Sequence, residues 1–62
     1  MSTGDLVRFA ERPVGARDHA GKCGVVTSVF MRDDYLICNV LVDGVLVRMV
    51  CEEDLEVIRE AR

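Results

Sequence analysis

The chain has 62 residues, of which half are hydrophobic, and a formal net charge of −3. A domain of this length buries only about 60% of its unfolded surface, so the sequence predicts one domain with a thin core. The acidic balance disfavours a general phosphate-binding surface, which works by neutralising phosphates with Lys and Arg. We expect an ordered region over about residues 4–58, followed by a loose tail over 59–62.

Alternating and β-branched runs separated by turn residues predict an all-β chain. The predicted strands are β1 near 5–9, β2 near 22–31, β3 near 35–42, β4 near 45–51 and β5 near 55–58. A long polar loop over 10–21 follows β1, and the acidic stretch before β5 suits one 3₁₀ turn. Asp43-Gly44 between β3 and β4 indicates a tight hairpin, because both residues of such a turn need positive φ.

Four segments of the chain carry a resemblance to a known family. They are Gly4-Asp5-Leu6-Val7-Arg8-Phe9, Gly21-Lys22-Cys23-Gly24-Val25-Val26, Val42-Asp43-Gly44 and Glu53-Asp54-Leu55-Glu56-Val57-Ile58. This pattern resembles KOW-type and related SH3-like barrels, which occur in ribosomal proteins and transcription elongation factors. It is also similar to small barrels encoded by tailed bacteriophages. The resemblance implies a five-stranded SH3-like barrel with a long first loop and a 3₁₀ turn before the last strand. RNA-binding KOW domains tend to be basic, whereas this chain is acidic.

The strands β3 and β4 are apolar on both sides, although a strand with one solvated face should alternate apolar and polar residues. Strict alternation predicts that one set of side chains lines the core and leaves a second apolar set facing outward. A contiguous exposed apolar patch usually marks a protein contact. The alternative is that the long loop over 10–21 folds across this second set and covers it. The predicted partner-binding residues are Ile37, Leu41, Leu46 and Val50, with Arg48 at the rim. The predicted core consists of Val7, Phe9, Val26, Val29, Val40, Val47, Leu55 and Val57.

The basic residues around the first loop form an alternative site for nucleic acid. Acidic residues are interleaved with them, and such mixed charge usually indicates a solvated surface. This alternative contact consists of Arg8, Arg12, Arg17 and Lys22.

No residue pattern in the chain indicates catalysis, a metal or a cofactor. Cys23, Cys38 and Cys51 lie in apolar runs without the paired ligand spacing of a zinc site, so we expect reduced, buried or half-buried thiols. His19 is the single histidine. We therefore expect a non-enzymatic protein with no metal, no disulfide and no small-molecule substrate.

The N-terminal segment has neither a basic region nor an apolar region of a signal peptide, and no run approaches a membrane span. These features predict a cytoplasmic protein without membrane contact, located in the bacterial host or the virion if a phage encodes it. The predicted function is that of an interaction or assembly module that binds itself or another protein, such as a phage accessory or virion structural protein. The alternative is a KOW-like module that binds RNA, the ribosome or RNA polymerase.

Overall fold

The computed structural model describes residues 1–12 and 17–61. Their strands are β1 Leu6–Phe9, β2 Cys23–Arg32, β3 Tyr35–Val42, β4 Val45–Cys51 and β5 Leu55–Arg59. All five form one antiparallel sheet in the order β4-β3-β2-β1-β5. The all-β prediction is confirmed, and every strand boundary lies within one residue of its predicted position. The 3₁₀ turn before β5 is present at Glu52–Asp54, and another short 3₁₀ helix covers Arg17–His19.

The sheet is open, because β4 and β5 are its two edge strands and do not pair with each other. Both tight hairpins have positive φ at their two central residues, as type I′ turns require. These residues are Asp33 (50°) and Asp34 (67°) between β2 and β3, and Asp43 (49°) and Gly44 (78°) between β3 and β4. The turns match the right-handed twist of the strands and fix the register of the three long strands.

A small apolar cluster lies against one side of the sheet. Its buried members are Val7, Phe9, Val26, Cys38, Val40, Val42 and Val50. Of the predicted core, Val29, Val47 and Leu55 are partly buried against this cluster. Val57 departs from the prediction, because it lies on the edge strand β5 and 37% of its surface is exposed.

Two bulges interrupt the sheet on either side of Asn39. In β2, Thr27 is the extra residue between the pairs Val26–Val40 and Ser28–Asn39. Between β3 and β4, Val40 pairs with Val47 and Cys38 pairs with Val50. The β4 segment between these two pairs is therefore one residue longer than the β3 segment. A bulge places two residues opposite one, so side chains beyond it change sides relative to strict alternation.

Because of the β4 bulge, the prediction that Val50 faces outward is wrong. Met49 adopts φ 61° within the bulge. Val50 therefore enters the core cluster at 3% exposure, and Met49 is exposed rather than buried. Beyond the bulge, Cys51 pairs with Ile37 instead of lining the core.

Asp5 ties both ends of the described chain to the sheet. Its carboxylate is buried and accepts hydrogen bonds from the backbone N–H groups of Ser2 (2.8 Å) and Ala61 (2.7 Å). The predicted loose tail is therefore held as far as Ala61, because Arg59 ends β5 and Ala61 bonds to Asp5. Hydrogen bonds to the charged form, first from Ala61 and then from Ser2, hold the pKa of Asp5 below its ordinary value of 3.8.

The lowered pKa of Asp5 predicts an acid-labile contribution to stability. A carboxyl group with a lower pKa in the folded state stabilises the fold above about pH 4, and this contribution is lost as the pH falls through the folded pKa. We expect the melting temperature of wild type to fall more steeply below about pH 4 than that of Asp5→Asn, which does not titrate there. Asp43→Asn retains Asp5 and should follow the wild-type profile. Parallel profiles for wild type and Asp5→Asn in thermal denaturation would contradict this role.

Candidate interaction surface

An apolar row crosses four strands on the side of the sheet opposite the core, which we call the outer face. In register, Leu6 lies opposite Val25, Val25 opposite Leu41, and Leu41 opposite Leu46. Residues directly opposite in antiparallel strands project to the same side. Val25, Leu41 and Leu46 are 42%, 43% and 41% exposed, and Leu6 is half-buried. These four residues form a continuous apolar surface, the outer row.

The outer row contains two of the residues predicted to bind a partner and two that the sequence reasoning missed. Leu41 and Leu46 are exposed as expected, and Arg48 is exposed two residues after Leu46. Val25 and Leu6 were missed because the prediction considered only the faces of β3 and β4. Alternation on β1 and β2 around the core residues Val7 and Val26 contained the signal needed to find them.

The remaining two predicted partner-binding residues are not exposed. Val50 belongs to the core cluster because the β4 bulge turns it inward. Ile37 projects to the outer face as predicted but is only 6% exposed. Its neighbours in register are Phe30 on β2 and Cys51 on β4. Of the five predicted partner-binding residues, Leu41, Leu46 and Arg48 are thus exposed, Ile37 is buried on the outer face, and Val50 is part of the core cluster.

A polar cluster separates the outer row from Ile37. The Asn39 side chain donates from Nδ2 to Ser28 Oγ (2.9 Å) and accepts at Oδ1 from the Met49 N–H (3.1 Å). The Thr27 hydroxyl donates to the Asn39 carbonyl oxygen (3.2 Å). Because this cluster occupies the level between Leu41 and Ile37 on β3, the outer face is divided into two apolar regions.

The second apolar region is a groove near the β2–β3 hairpin, which we call the end groove. It has a volume of about 300 Å³. Its lining residues are Arg32, Asp33, Tyr35, Ile37, Cys51 and Glu53. The end groove combines an apolar floor with charged walls of both signs.

The residues of the predicted nucleic-acid contact lie on β1, in the first loop and just before β2. Arg8 forms an exposed ion pair with Glu56 (Nη2 to Oε2, 2.9 Å). Arg8 lies opposite Cys23 on β2, and Lys22 is exposed just before β2. Arg12 is exposed, and the surroundings of the Arg17 side chain lie outside what the structure describes.

The three cysteines are free thiols in three different environments. Cys38 is buried and its thiol donates to Met1 Sδ (3.2 Å), while burial raises the pKa of the Cys38 thiol. Cys51 is half-buried, and Cys23 is exposed, contrary to the burial expected from its apolar run. Cys23 projects outward because it lies opposite Arg8.

The single histidine packs near the core, against Phe9. The ring centroid of His19 lies 5.7 Å from that of Phe9. Over residues 1–12 and 17–61, no group of three or more His, Cys, Asp or Glu side chains is placed to hold a metal ion. Within the same ranges, no helix has the length and apolar character needed to cross a membrane.

Comparison with known proteins gives no relative for this architecture. No protein-family model matches the chain, and no curated protein or solved structure matches it.

Proposed function

We propose that this protein is a non-enzymatic interaction module that assembles with a second copy of itself through the outer row. The observation that supports this proposal is the direct cross-strand alignment of Val25, Leu41 and Leu46, each more than two-fifths exposed. Burying an apolar side chain of this size contributes about 1.5–3 kcal/mol. Val25, Leu41 and Leu46 are already more than half buried, so covering the rest of each gains about two-fifths of that value, and the flanking surface of the outer face must contribute to association as well.

A second copy fits the outer row because the row carries no charge. Next to it, Arg8 is already paired with Glu56, while Arg48 and Arg59, which lies opposite Leu6 on β5, are exposed where they can stay in water. An identical apolar surface can therefore cover the row without burying an unpaired charge, which is costly. The molecule measures 27 × 24 × 18 Å, so the whole face offers roughly 600 Å² per copy and the outer row covers only part of it, which places the contact among small interfaces.

The finer fold we propose is an SH3-like barrel that is left open between β4 and β5. Three features support it: the strand order, the long bulged β2 that joins both halves of the sheet, and the 3₁₀ turn before β5. Together with the sequence resemblance to small barrels of tailed bacteriophages, this favours a phage accessory or virion structural protein. Such a protein would act in the host cytoplasm or in the virion.

The competing function is a KOW-like contact with RNA, the ribosome or RNA polymerase. It would use Arg8, Arg12, Arg17 and Lys22 around the first loop. The net charge of −3 and the ion pair between Arg8 and Glu56 both argue against it. Retention on heparin with a steep salt dependence would favour this alternative.

Sedimentation equilibrium over a wide concentration range tests self-association. We expect the average mass of wild type to rise from 6.9 kDa towards twice that value. Leu41→Ser and Leu46→Ser should each weaken association at least about tenfold, because each loses an apolar contact. Their far-ultraviolet circular dichroism should stay that of wild type, since neither residue belongs to the core cluster.

Val45→Ser provides the matched control. Val45 is adjacent to Leu46 and 56% exposed, but it lies opposite Val42 on the core side of the sheet. It should therefore leave the association constant unchanged within about twofold. A wild-type mass that stays at 6.9 kDa up to millimolar concentration would refute the proposal. Equal weakening by Val45→Ser would place the contact elsewhere.

A further inference from the structure

We propose that the end groove is a docking site for an extended, basic peptide segment that inserts one apolar side chain. The site lies beyond the polar Asn39 cluster and shares no residue with the outer row. This inference therefore does not rest on self-association.

The floor of the end groove is already arranged to receive an apolar group. Ile37 is 6% exposed yet lies apart from the core cluster, so it forms a separate apolar base on the outer face. The half-buried Cys51 lies opposite Ile37 and extends this base. At about 300 Å³, the space is at the lower limit of ligand pockets and suits a single side chain.

The charges around the end groove favour a positively charged occupant. Asp33 and Glu53 line it, and Asp34 and Glu52 line a smaller adjoining cavity of about 90 Å³. Against these four exposed carboxylates, the two cavities have one basic side chain, Arg32. A segment that carries Lys or Arg on both sides of its apolar residue is complementary to this surface.

Tyr35 and the sheet edge favour a peptide over a free small molecule. The Tyr35 side chain is 64% exposed and lines both cavities, where its ring can pack against the stem and charge of a basic side chain. Cys51 ends the edge strand β4, which has no strand paired along its outer side within the described residues. Backbone donors and acceptors of such an edge can pair with an extended segment while alternate side chains enter a pocket.

Nuclear magnetic resonance titration with three blocked pentapeptides tests the proposal. The probes are Ac-Lys-Lys-Leu-Lys-Lys-NH₂, the same peptide with Ser in place of Leu, and the same peptide with Glu in place of every Lys. We expect the Lys–Leu peptide to shift the amide signals of Ile37, Cys51 and Glu53. Its affinity should exceed that of either other peptide at least about tenfold, because only it supplies both the apolar and the charged contact.

Variants of the protein separate docking from general attraction between charges. Glu53→Gln and Tyr35→Ser should each lower the affinity for the Lys–Leu peptide roughly fivefold or more. Asp43→Asn is the matched control, since it removes one exposed carboxylate at the hairpin that joins the other end of β3. It should change the affinity less than about twofold.

Any one of four results would contradict the inference. Equal binding of the Leu and Ser peptides would show that the groove takes no apolar side chain. Tighter binding of the Glu peptide would show that Arg32 dominates the site. If Asp43→Asn and Glu53→Gln lowered the affinity for the Lys–Leu peptide equally, binding would depend on the net charge of the protein and not on the end groove. No shift of the groove signals at millimolar peptide would remove the site altogether.

Discussion

Replacing Gly24 with Ala is expected to unfold the protein or to lower its melting temperature by more than about 10 °C. A Cβ atom on Gly24 would lie 2.6 Å from the Leu41 carbonyl oxygen, 2.7 Å from Val40 Cγ1 and 2.8 Å from Val42 Cγ2. The oxygen belongs to a paired strand and cannot move without breaking the sheet. Overpacking of this kind costs about 3 kcal/mol or more, and a domain of this size has only about 3–9 kcal/mol in total.

Gly21→Ala is the matched comparison for Gly24→Ala. Gly21 has φ 74°, and no atom lies within 4 Å of a Cβ built on it. Its substitution therefore adds backbone strain of about 1–2 kcal/mol without a steric clash. Thermal denaturation followed by circular dichroism should rank the stabilities as wild type, Gly21→Ala and Gly24→Ala. A Gly24→Ala protein as stable as Gly21→Ala would mean that β2 and β3 are not in close contact at this position.

Gly24 belongs to one of the four segments that resemble KOW-type barrels, and the structure gives a steric reason for a glycine there. It is buried between Val7 of β1 and the β3 backbone. The strands themselves were predictable because turn residues and β-branched runs are local signals. The close approach of β2 to β3 was not predictable, because it depends on two segments about 17 residues apart in the chain meeting in one register.

The residues of the candidate sites were likewise predicted correctly only where a local pattern in the sequence determines their side of the sheet. Leu41 and Leu46 were predicted as surface residues because alternation holds along β3 and along β4 as far as Val47. Beyond Val47 the β4 bulge reverses the two sides of the strand, which is why Val50 was wrongly predicted to face outward. Of the end groove only Ile37 was predicted to bind a partner, since the lining residues come from three strands, one hairpin turn and a 3₁₀ turn. Only the folded chain brings them together.

The apolar second side of β3 and β4 therefore has three different uses in the structure. Leu41 and Leu46 belong to the outer row, Val50 completes the core, and Ile37 forms the floor of the end groove. In the sequence, the second side of β3 and β4 is one nearly uniform apolar run. In the structure, two bulges and the Asn39 side chain divide it into these three parts. Asn39 is the residue on which this division depends.

Asn39→Ala is accordingly expected to destabilise the protein by about 1–3 kcal/mol, because it removes two hydrogen bonds that each contribute about 0.5–1.5 kcal/mol. They are the bond from the Met49 N–H and the bond to Ser28 Oγ. In a domain of this size the loss corresponds to a fall in melting temperature of roughly 5–20 °C. Met49 would then keep its φ of 61° without the hydrogen bond that holds it there.

Three further variants show whether Asn39 acts through the bulge. Asn39→Asp retains an acceptor for the Met49 N–H and should lose less stability than Asn39→Ala. Thr27→Val removes only the exposed hydroxyl bond to the Asn39 carbonyl and should change the free energy of unfolding by no more than about 0.5 kcal/mol. Adding Met49→Gly to Asn39→Ala should recover about 1 kcal/mol, because glycine adopts positive φ without strain. If Met49→Gly gave no recovery while Asn39→Ala remained destabilised, the loss would come from packing around Asn39 and not from the bulge at Met49.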